Sequence, residues 1–425
     1  MLVGHGSAGT GVSLHDTRLH VHKEQERGVS AQQVPDARLS DVPCAGGRAG
    51  PFACDGIDLL SFVPLPEFSG VEIALLGGGA SDIWGWVDRE TGDEYVIIGT
   101  TSGAAFFRVT DPGNPVHLGN LPNTGLQLIW HDIKVYDDHA FIVSESQPHG
   151  MRVFDLTRLR GVMSPQTWTE NARYPLSWAA HNIAINEETG FAYIVGGNEG
   201  LVLGDHCRAG LHMVDIRQPL LPLFAGCYAD DGYVHDTQCV IYRGPDAKHR
   251  GREICFNSSE DRFTIVDVTD KLAPVLVGTL LYPNTGYTHQ GWLTADQRHF
   301  LLGDEDDENQ TQFNTRTVVV DVRNLDAPRI AGSHFHNTAS IDHNMYVRGK
   351  HVYQSNYSAG LRVLALDDVA RGRLREVAFF DTYPSHDRRG FVGTWSNYPF
   401  FPSGTIAVSG IDEGLFLLRV RPGAL

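Results

Sequence analysis

An all-β fold, a seven-bladed β-propeller of four-stranded antiparallel blades, is the architecture that this sequence of 425 residues predicts. Three observations favour it. A phrase of two strands and a turn recurs along the chain, the units that contain it repeat every 49 to 54 residues, and the last unit lacks one strand. A period of about 40–50 residues with four strands per unit is typical of propellers.

The recurring phrase consists of an apolar run, an Asp, a turn that often contains Pro, and a second apolar run. It reads FFRVTDPGNPVHLGNL from Phe106, FTIVDVTDKLAPVLVGTL from Phe263 and VVVDVRNLDAPRIAGSH from Val318. Two further strand-like segments precede each phrase, so that each unit is a meander of four strands, A to D. The seven A strands are expected to begin near Asp82, His131, His181, His235, His289, His343 and Trp395.

The last unit supplies only three strands, WSNYPFF, TIAVSGI and GLFLLRV. A segment with the pattern of the missing D strand, IDLLSFVPLPEF, begins at Ile57. We expect this N-terminal strand to complete the last blade, because closing the ring protects a sheet edge that would otherwise template aggregation. A single propeller is therefore expected over residues 43–425, and residues 1–42 are expected to be a polar, mobile leader.

Charge and cysteine content restrict the possible partners and compartments. The net charge of −17 argues against binding to nucleic acid or anionic lipid. The sequence contains no run of about 18 apolar residues, so it predicts no membrane-spanning helix. Six cysteines favour disulfides and a secreted, cell-surface or periplasmic protein whose signal peptide lies outside this sequence, with six buried thiols as the alternative. The sequence-local pairs are Cys44 with Cys54, Cys207 with Cys227, and Cys239 with Cys255.

The repeat phrase resembles the LVIVD repeat, and several longer segments resemble the choice-of-anchor B proteins, a group of exported bacterial repeat proteins. The segments that carry the resemblance are CDGIDLLSFVPLPEF, SDIWGWVD, HDIKVYDDHAFIVSE, HNIAINEETGFAYIVGG and YTHQGWL. The likeness extends over roughly residues 44 to 420. It implies a secreted propeller and no particular activity.

Five consecutive blades begin with a His followed by a polar residue. Strand A is the innermost strand of a blade, so these imidazoles are expected to converge at one mouth of the central channel. Such a cluster suits a divalent transition metal, with Fe or Cu favoured and Zn or Mn as alternatives. The expected ligands are His181, His235, His289 and His343, with His131 as a peripheral member.

In an antiparallel meander, the turns from strand B to strand C lie on the face where strand A begins. Carboxylates in these turns are therefore expected beside the histidines. Glu305, with Asp304, is the candidate general base, and further carboxylates are expected to contact a substrate: Glu145, Glu260 and Glu413. The acidic run GDEDDENQ, which contains Glu305, either binds Ca²⁺ through oxygen ligands or is a solvated turn.

Several tryptophans lie near the starts of A strands and are expected to line a pocket that stacks a sugar or another small molecule. The alternative is packing between blades. The tryptophans assigned to this pocket are Trp84, Trp130, Trp292 and Trp395.

Two functions remain open from the sequence. The first is a metal-dependent enzyme with its site at the channel mouth, where a ring of four His resembles the iron centre of the carotenoid-cleaving propellers. That resemblance implies an oxidoreductase or oxygenase, with a hydrolase or lyase as alternatives. The second is a non-catalytic exported propeller that binds a glycan or a protein partner at the cell surface, in which the repeated His is a structural group within each blade. The oligomeric state stays open.

Overall fold

Strands surround a central channel in a ring of seven antiparallel sheets, which confirms the predicted seven-bladed propeller. The computed structural model describes residues 34–69, 78–197 and 207–425. The innermost strand of each sheet contacts the innermost strands of both neighbouring sheets, and the last sheet contacts the first. In the described ranges, no helix is long and apolar enough to cross a membrane.

The first half of the ring follows the predicted order of strands. The N-terminal strands are β1 (Leu39–Val42), β2 (Arg48–Ala49), β3 (Phe52–Asp55) and β4 (Ile57–Pro64). Blade 1 contains β5 (Ala80–Val87), β6 (Glu94–Thr100), β7 (Gly103–Arg108) and β8 (Val116–Pro122). Blade 2 contains β9 (His131–Tyr136), β10 (His139–Ser144), β11 (Met151–Asp155) and β13 (Ala172–Tyr174). The short strand β12 (Gln166–Thr167), which precedes β13 in the chain, pairs parallel with β8 at the outer edge of blade 1. Blade 3 contains β14 (Asn182–Asn186), β15 (Phe191–Val195), β16 (Leu211–Asp215) and β17 (Leu223–Tyr228).

The second half repeats the same meander. Blade 4 contains β18 (Asp236–Ile241), β19 (Glu253–Ser259), β20 (Arg262–Asp267) and β21 (Val275–Leu280). Blade 5 contains β22 (Thr288–Leu293), β23 (His299–Asp304), β24 (Arg316–Asp321) and β25 (Arg329–Phe335). Blade 6 contains β26 (Met345–Arg348), β27 (His351–Asn356), β28 (Gly360–Ala365) and β29 (Arg375–Phe380). Blade 7 contains β30 (Thr394–Tyr398), β31 (Thr405–Gly410) and β32 (Gly414–Val420). Within the described residues, the short helices are an α-helix over Asp307–Thr311 and 3₁₀-helices over Leu65–Glu67, Leu156–Leu159, Pro175–Ser177 and Val369–Arg371.

The N-terminal segment closes the ring. Strand β4 pairs antiparallel with β32, from Pro64 opposite Gly414 to Ile57 opposite Val420, which confirms the predicted outer strand of the last blade. Strand β1 adds a fifth strand outside β4, so this sheet extends into the segment that was expected to be a leader. Strands β2 and β3 extend the neighbouring blade 6 beyond β29. One segment thus joins the two blades between which it lies.

Apolar side chains fill the space between the blades, as the alternating pattern of the strands requires. Four phenylalanines from three parts of the chain meet where the N-terminal segment joins blades 6 and 7: Phe52, Phe62, Phe380 and Phe416. The ring centroids of Phe62 and Phe416 lie 4.8 Å apart, and those of Phe52 and Phe416 lie 5.3 Å apart in an edge-to-face pair. Edge-to-face and offset rings are the favoured aromatic geometry, so the junction is well packed.

Close packing between neighbouring blades explains why the second apolar run of the repeat phrase contains a Gly. The pairing of β20 with β21 shifts register at a bulge, where Gly278 lies opposite Ile265. A Cβ atom on Gly278 would lie 2.2 Å from the carbonyl oxygen of Leu325, which belongs to the turn between the last two strands of the next blade. Gly226 meets the corresponding turn of blade 4 at Lys271 in the same way. The Gly therefore lets one blade pack against the turn of its neighbour.

All three sequence-local cysteine pairs are disulfides. Cys239 and Cys255 lie directly opposite each other in the β18–β19 pair, with Cα atoms 4.0 Å apart. The remaining bonds are Cys44–Cys54 and Cys207–Cys227. Each bond closes a loop of 10 to 20 residues. Three disulfides indicate an oxidising environment.

The closing strand can be tested by truncating its buried ring. Phe62→Ala is expected to lower the free energy of unfolding by about 3–5 kcal/mol, the usual cost of removing a buried Phe side chain. Phe335→Ala is the matched control, since Phe335 is 48% exposed on the outer strand of blade 5. Chemical denaturation of both variants measures the difference. Equal losses in the two variants would show that the junction contributes no more than surface contacts.

Mass spectrometry of unreduced peptides is expected to recover the three disulfide-linked pairs. Replacing Cys239 and Cys255 together by Ser should lower the free energy of unfolding by about 2–5 kcal/mol, because the crosslink restricts the unfolded chain. Six thiols that react with an alkylating reagent in the native protein would contradict both the pairing and the oxidising compartment.

Candidate metal centre

Four of the five predicted histidines form an arc at the mouth of the channel where the inner strands begin. Ring centroids of successive members lie 4.4 Å (His181 to His235), 4.1 Å (His235 to His289) and 4.5 Å (His289 to His343) apart. All four side chains are buried. The arc lies on one side of the channel because its members come from four consecutive blades, 3 to 6.

His131 occupies the corresponding place in blade 2 but lies outside this arc. Its ring is beside His149, with centroids 5.7 Å apart, and its Nδ1 atom lies 3.2 Å from the carbonyl oxygen of Ile129. The Nε2 atom has no hydrogen-bond partner in the described part of the chain. His131 therefore stands apart from the arc, and its role as a peripheral metal ligand stays a prediction.

Glu305 lies between two of the arc histidines. Its Oε2 atom is 3.5 Å from His289 Nε2, and its Oε1 atom is 3.8 Å from His343 Nε2. One ligand atom from each of these three residues lies within 4.8 Å of the other two. Glu305 directly follows β23, in the turn from strand B to strand C, as the meander predicted. We call His289, Glu305 and His343 the metal triad.

Hydrogen bonds fix how the imidazoles of the arc are turned. The Nδ1 atom of His343 donates to the carbonyl oxygen of Trp395 at 2.5 Å, and Nδ1 of His235 donates to the carbonyl oxygen of His289 at 2.9 Å. A carbonyl only accepts, so each Nδ1 carries a proton, and the neutral form of each ring, which metal binding requires, has its lone pair on Nε2. In His343 this lone pair is directed toward the Glu305 carboxylate. A backbone carbonyl behind the ring is a common orienting contact for a metal-binding His.

The carboxylate of Glu305 is also held from behind. The hydroxyl of Tyr357 donates to Glu305 Oε1 at 2.5 Å. Tyr357 occupies in blade 6 the turn that Glu305 occupies in blade 5, just after strand B. Tyr357 was not among the predicted site residues, because only carboxylates were expected to act in those turns. Its position in the repeat, equivalent to that of Glu305, is the signal that identifies it.

The other predicted carboxylates have different surroundings. Glu145 Oε1 lies 2.6 Å from His181 Nδ1 and so joins the end of the arc. Asp304 accepts hydrogen bonds from the backbone of Gly286 and Tyr287 and pairs with Arg316 at 3.1 Å, away from the arc. Burial raises the pKa of Asp304. The Asp304 carboxylate is therefore part of the internal support of blade 5.

Two of the predicted glutamates contribute backbone atoms to the frame at this mouth. The carbonyl oxygen of Glu260 accepts the backbone N–H of Thr288 at 2.5 Å, which connects the turn of blade 4 to the first strand of blade 5. The carbonyl oxygen of Glu413 accepts the backbone N–H of Leu65 at 2.9 Å, just after the closing strand β4. Both side chains belong to B-to-C turns, as predicted.

The acidic run after β23 is buried, so the alternative of a solvated turn is wrong. Asp307 and Glu308 are fully buried, and Asp342 from the start of blade 6 lies with them. Burial and the charge of Asp304 raise the pKa of Asp307 to about 7. Arg316 pairs with both Asp304 and Asp307. Ca²⁺ binding by this run stays a prediction.

The four predicted tryptophans do not share one pocket. Trp130 and Trp395 pack with Tyr357 and other apolar side chains at the mouth that holds the arc, and the Trp395 ring lies 4.8 Å from that of His343. Trp84 and Trp292 instead line a cavity farther along the inner strands, together with Lys134. Trp130 and Trp395 therefore have a packing role, whereas Trp84 and Trp292 line a cavity.

Comparisons with known proteins agree with the fold and add no activity. No family profile and no curated protein sequence matches the chain. A chain in a crystal structure of the mitotic checkpoint complex is similar over 92% of this chain and 93% of its own length, with 10% identity and a TM-score of 0.53. A functionally unknown protein from Desulfotomaculum acetoxidans DSM 771 is similar over 73% of this chain and 87% of its own, with 11% identity and a TM-score of 0.51. At such identities the likeness shows the fold alone.

His131 is expected to make the protein acid-sensitive. Burial lowers its pKa from 6.5 to about 4. Between these values the unfolded chain binds a proton that the folded chain does not, so the free energy of unfolding falls as the pH falls through this window. Above pH 6.5 the residue has no such effect, and a shift of this size corresponds to a loss of about 3 kcal/mol at the acid end.

Denaturant titrations of wild type and His131→Gln at pH 7.5 and pH 4.5 measure this contribution. The variant is expected to lose less stability on acidification than the wild type. Identical losses would mean that His131 is not the group responsible.

Proposed function

We propose that this propeller binds one divalent transition metal ion through the metal triad, Fe²⁺ foremost, and is an oxidoreductase that activates oxygen at the channel mouth. The observation that carries the proposal is the convergence of two imidazoles and one carboxylate, each buried, with ligand atoms within 4.8 Å of one another. Two His and one carboxylate with open positions are typical of non-haem iron oxygenases.

The electrostatics of the triad support a bound cation. The Glu305 Oε1 atom and the His343 Nε2 atom lie 3.8 Å apart, so one ion could contact both. The side chain of Glu305 is fully buried, so a cation bound there would be shielded from bulk water. A divalent ion between these atoms would be bound by all three residues of the triad.

The neighbours of the triad have roles in this proposal. Tyr357 and the Trp395 carbonyl are positioning groups in this proposal, since they would hold Glu305 and His343 in place for the ion. His235, whose ring lies 4.1 Å from that of His289, is the nearest source of a further nitrogen ligand. Glu305 acts as a metal ligand in this arrangement. It is therefore not assigned the role of general base that the sequence suggested.

Other ions rank below iron for chemical reasons. Cu, Zn and Mn also accept imidazole and carboxylate ligands, and a zinc-bound water would support a hydrolase instead. Ca²⁺ prefers oxygen ligands alone, so the triad does not suit it. The three disulfides and the resemblance to the choice-of-anchor B proteins favour an exported protein, in which the metal is acquired in an oxidising compartment.

Elemental analysis of untagged protein, before and after anaerobic loading with Fe²⁺, tests the binding step. The wild type is expected to retain about one ion per chain after desalting. His343→Ala and Glu305→Gln should each lose metal affinity by at least about tenfold, the usual effect of removing a ligand or its support. His131→Ala is the matched control, because it removes the corresponding His of blade 2, outside the triad. Failure of the wild type to take up Fe, Cu, Zn or Mn would make the arc a structural feature and favour a binding module.

The oxygen-activating step needs a second measurement. Nitric oxide added to the Fe²⁺-loaded protein without oxygen is expected to give the EPR signal of a high-spin iron–nitrosyl, because the triad leaves coordination positions open. Iron that binds with unchanged stoichiometry and gives no such signal would show a closed, structural metal site.

A further inference from the structure

A second candidate site lies in the channel, at a different depth from the metal triad. It is a cavity of about 300 Å³, within the range of small-molecule pockets. Its walls include five aromatic rings from blades 1, 5, 6 and 7, which we call the aromatic cage: Trp84, Trp292, Tyr346, Tyr398 and Phe400.

The cage is separate from the metal triad. Trp292 and Tyr346 each lie three residues after the arc histidine of their own blade, and a strand rises about 3.3 Å per residue. Buried polar side chains follow the arc position by one residue, among them Asp132 and Gln290, and Gln290 lines the cavity. The amide of Gln290 bridges to the backbone of Met345 in the next blade. A ligand in the cage would therefore not reach the triad.

The rings of the cage form a connected set. Tyr346 contacts both tryptophans edge to face, at centroid distances of 5.5 Å from Trp84 and 5.0 Å from Trp292. Tyr398 lies 5.2 Å from Trp84, and Phe400 lies 6.3 Å from Trp84 and 6.5 Å from Trp292. Aromatic faces carry negative electrostatic potential, so several rings around one cavity favour a positively charged guest.

The protein itself places a cation against this wall. The ammonium of Lys134 lies 4.5 Å from the ring centroid of Trp84. The same ammonium contacts Asp132 at 2.6 Å and Asp82 at 3.1 Å, so its charge is compensated within the channel. Lys134 thus places an ion-paired cation against one ring of the cage, without leaving a net positive charge that would repel another.

Carboxylates in addition to these two line the cavity. Asp236 lies in its wall, and Glu187 lies at its rim, exposed to solvent. Within the described ranges Glu187 forms no ion pair, whereas its neighbour Glu188 pairs with Arg243 at 2.5 Å. The rim therefore adds a carboxylate to the aromatic wall, one that has no close ion pair and whose charge interacts with that of Arg89.

We propose that the aromatic cage binds a small organic cation, a quaternary ammonium group on a short chain. Rings supply the attraction that such a group prefers, because its methyl groups shield the charge and give up little hydration. The carboxylate at the rim selects against anions, and the small, ring-lined volume selects against bulky guests. This site is independent of the proposed metal, so either can fail without the other.

Isothermal titration at pH 7.5 with choline and with 3,3-dimethylbutan-1-ol, its neutral analogue of the same shape, tests the charge requirement. Choline is expected to bind at least about tenfold more tightly than the alcohol, the size of a desolvated cation–π interaction. Trp84→Leu should weaken choline binding by about tenfold. Glu187→Gln should weaken it by a few-fold, with Glu188→Gln as the matched control that leaves it unchanged.

Glu187 and Glu188 are both exposed, so these two variants are expected to fold, and their melting temperatures check this. Equal affinity for choline and the alcohol would overturn the proposal in favour of a merely apolar cavity. Binding of a neutral monosaccharide, with no binding of choline, would overturn it in favour of a sugar site. No binding of any of the three would show that the rings serve only to pack the blades.

Discussion

The pairing of β4 with β32 is the constraint on which the rest of this structure depends. It joins the two ends of the described propeller, and the four phenylalanines around Phe62 fill the junction between the last two blades. Only a closed ring brings the inner strands of every blade around one axis. The arc of histidines, the polar layer beneath it and the aromatic cage all consist of residues from different blades, so each exists only because the ring is closed.

Repetition then sorts side chains by depth. Equivalent positions of successive inner strands lie at the same level of the channel. One such position holds the histidines of the arc. The position three residues farther along the strand holds Lys134, Trp292 and Tyr346. Function comes from the places where the blades differ. His289 and His343 have a glutamate between them because the B-to-C turn of blade 5 carries Glu305, whereas blade 6 has Tyr357 there.

Burial gives these polar groups their chemistry. Among the described residues, blade 5 concentrates carboxylates around Arg316 and at the triad, where solvent does not screen them. The pKa of Asp307 rises to about 7 through burial and the charge of Asp304, whereas burial lowers the pKa of His131 to about 4. Charges in the channel are therefore stable only in compensated sets, of which Lys134 with Asp82 and Asp132 is one.

The sequence by itself determined the seven blades, the closing strand and the level of the histidines, because each follows from the repeat. It also predicted the three disulfides, because the cysteines lie in pairs that are close along the chain. It also placed Glu305 beside the histidines, since a meander brings B-to-C turns to the starts of A strands. Only the tertiary structure decided that His131 stands apart, that Asp304 belongs to Arg316, and that Trp84 and Trp292 line a separate cavity from Trp130 and Trp395. A repeat fixes the height of a residue in the channel, but which side chains meet at that height depends on rotamers and on contacts between neighbouring blades, which no single repeat contains.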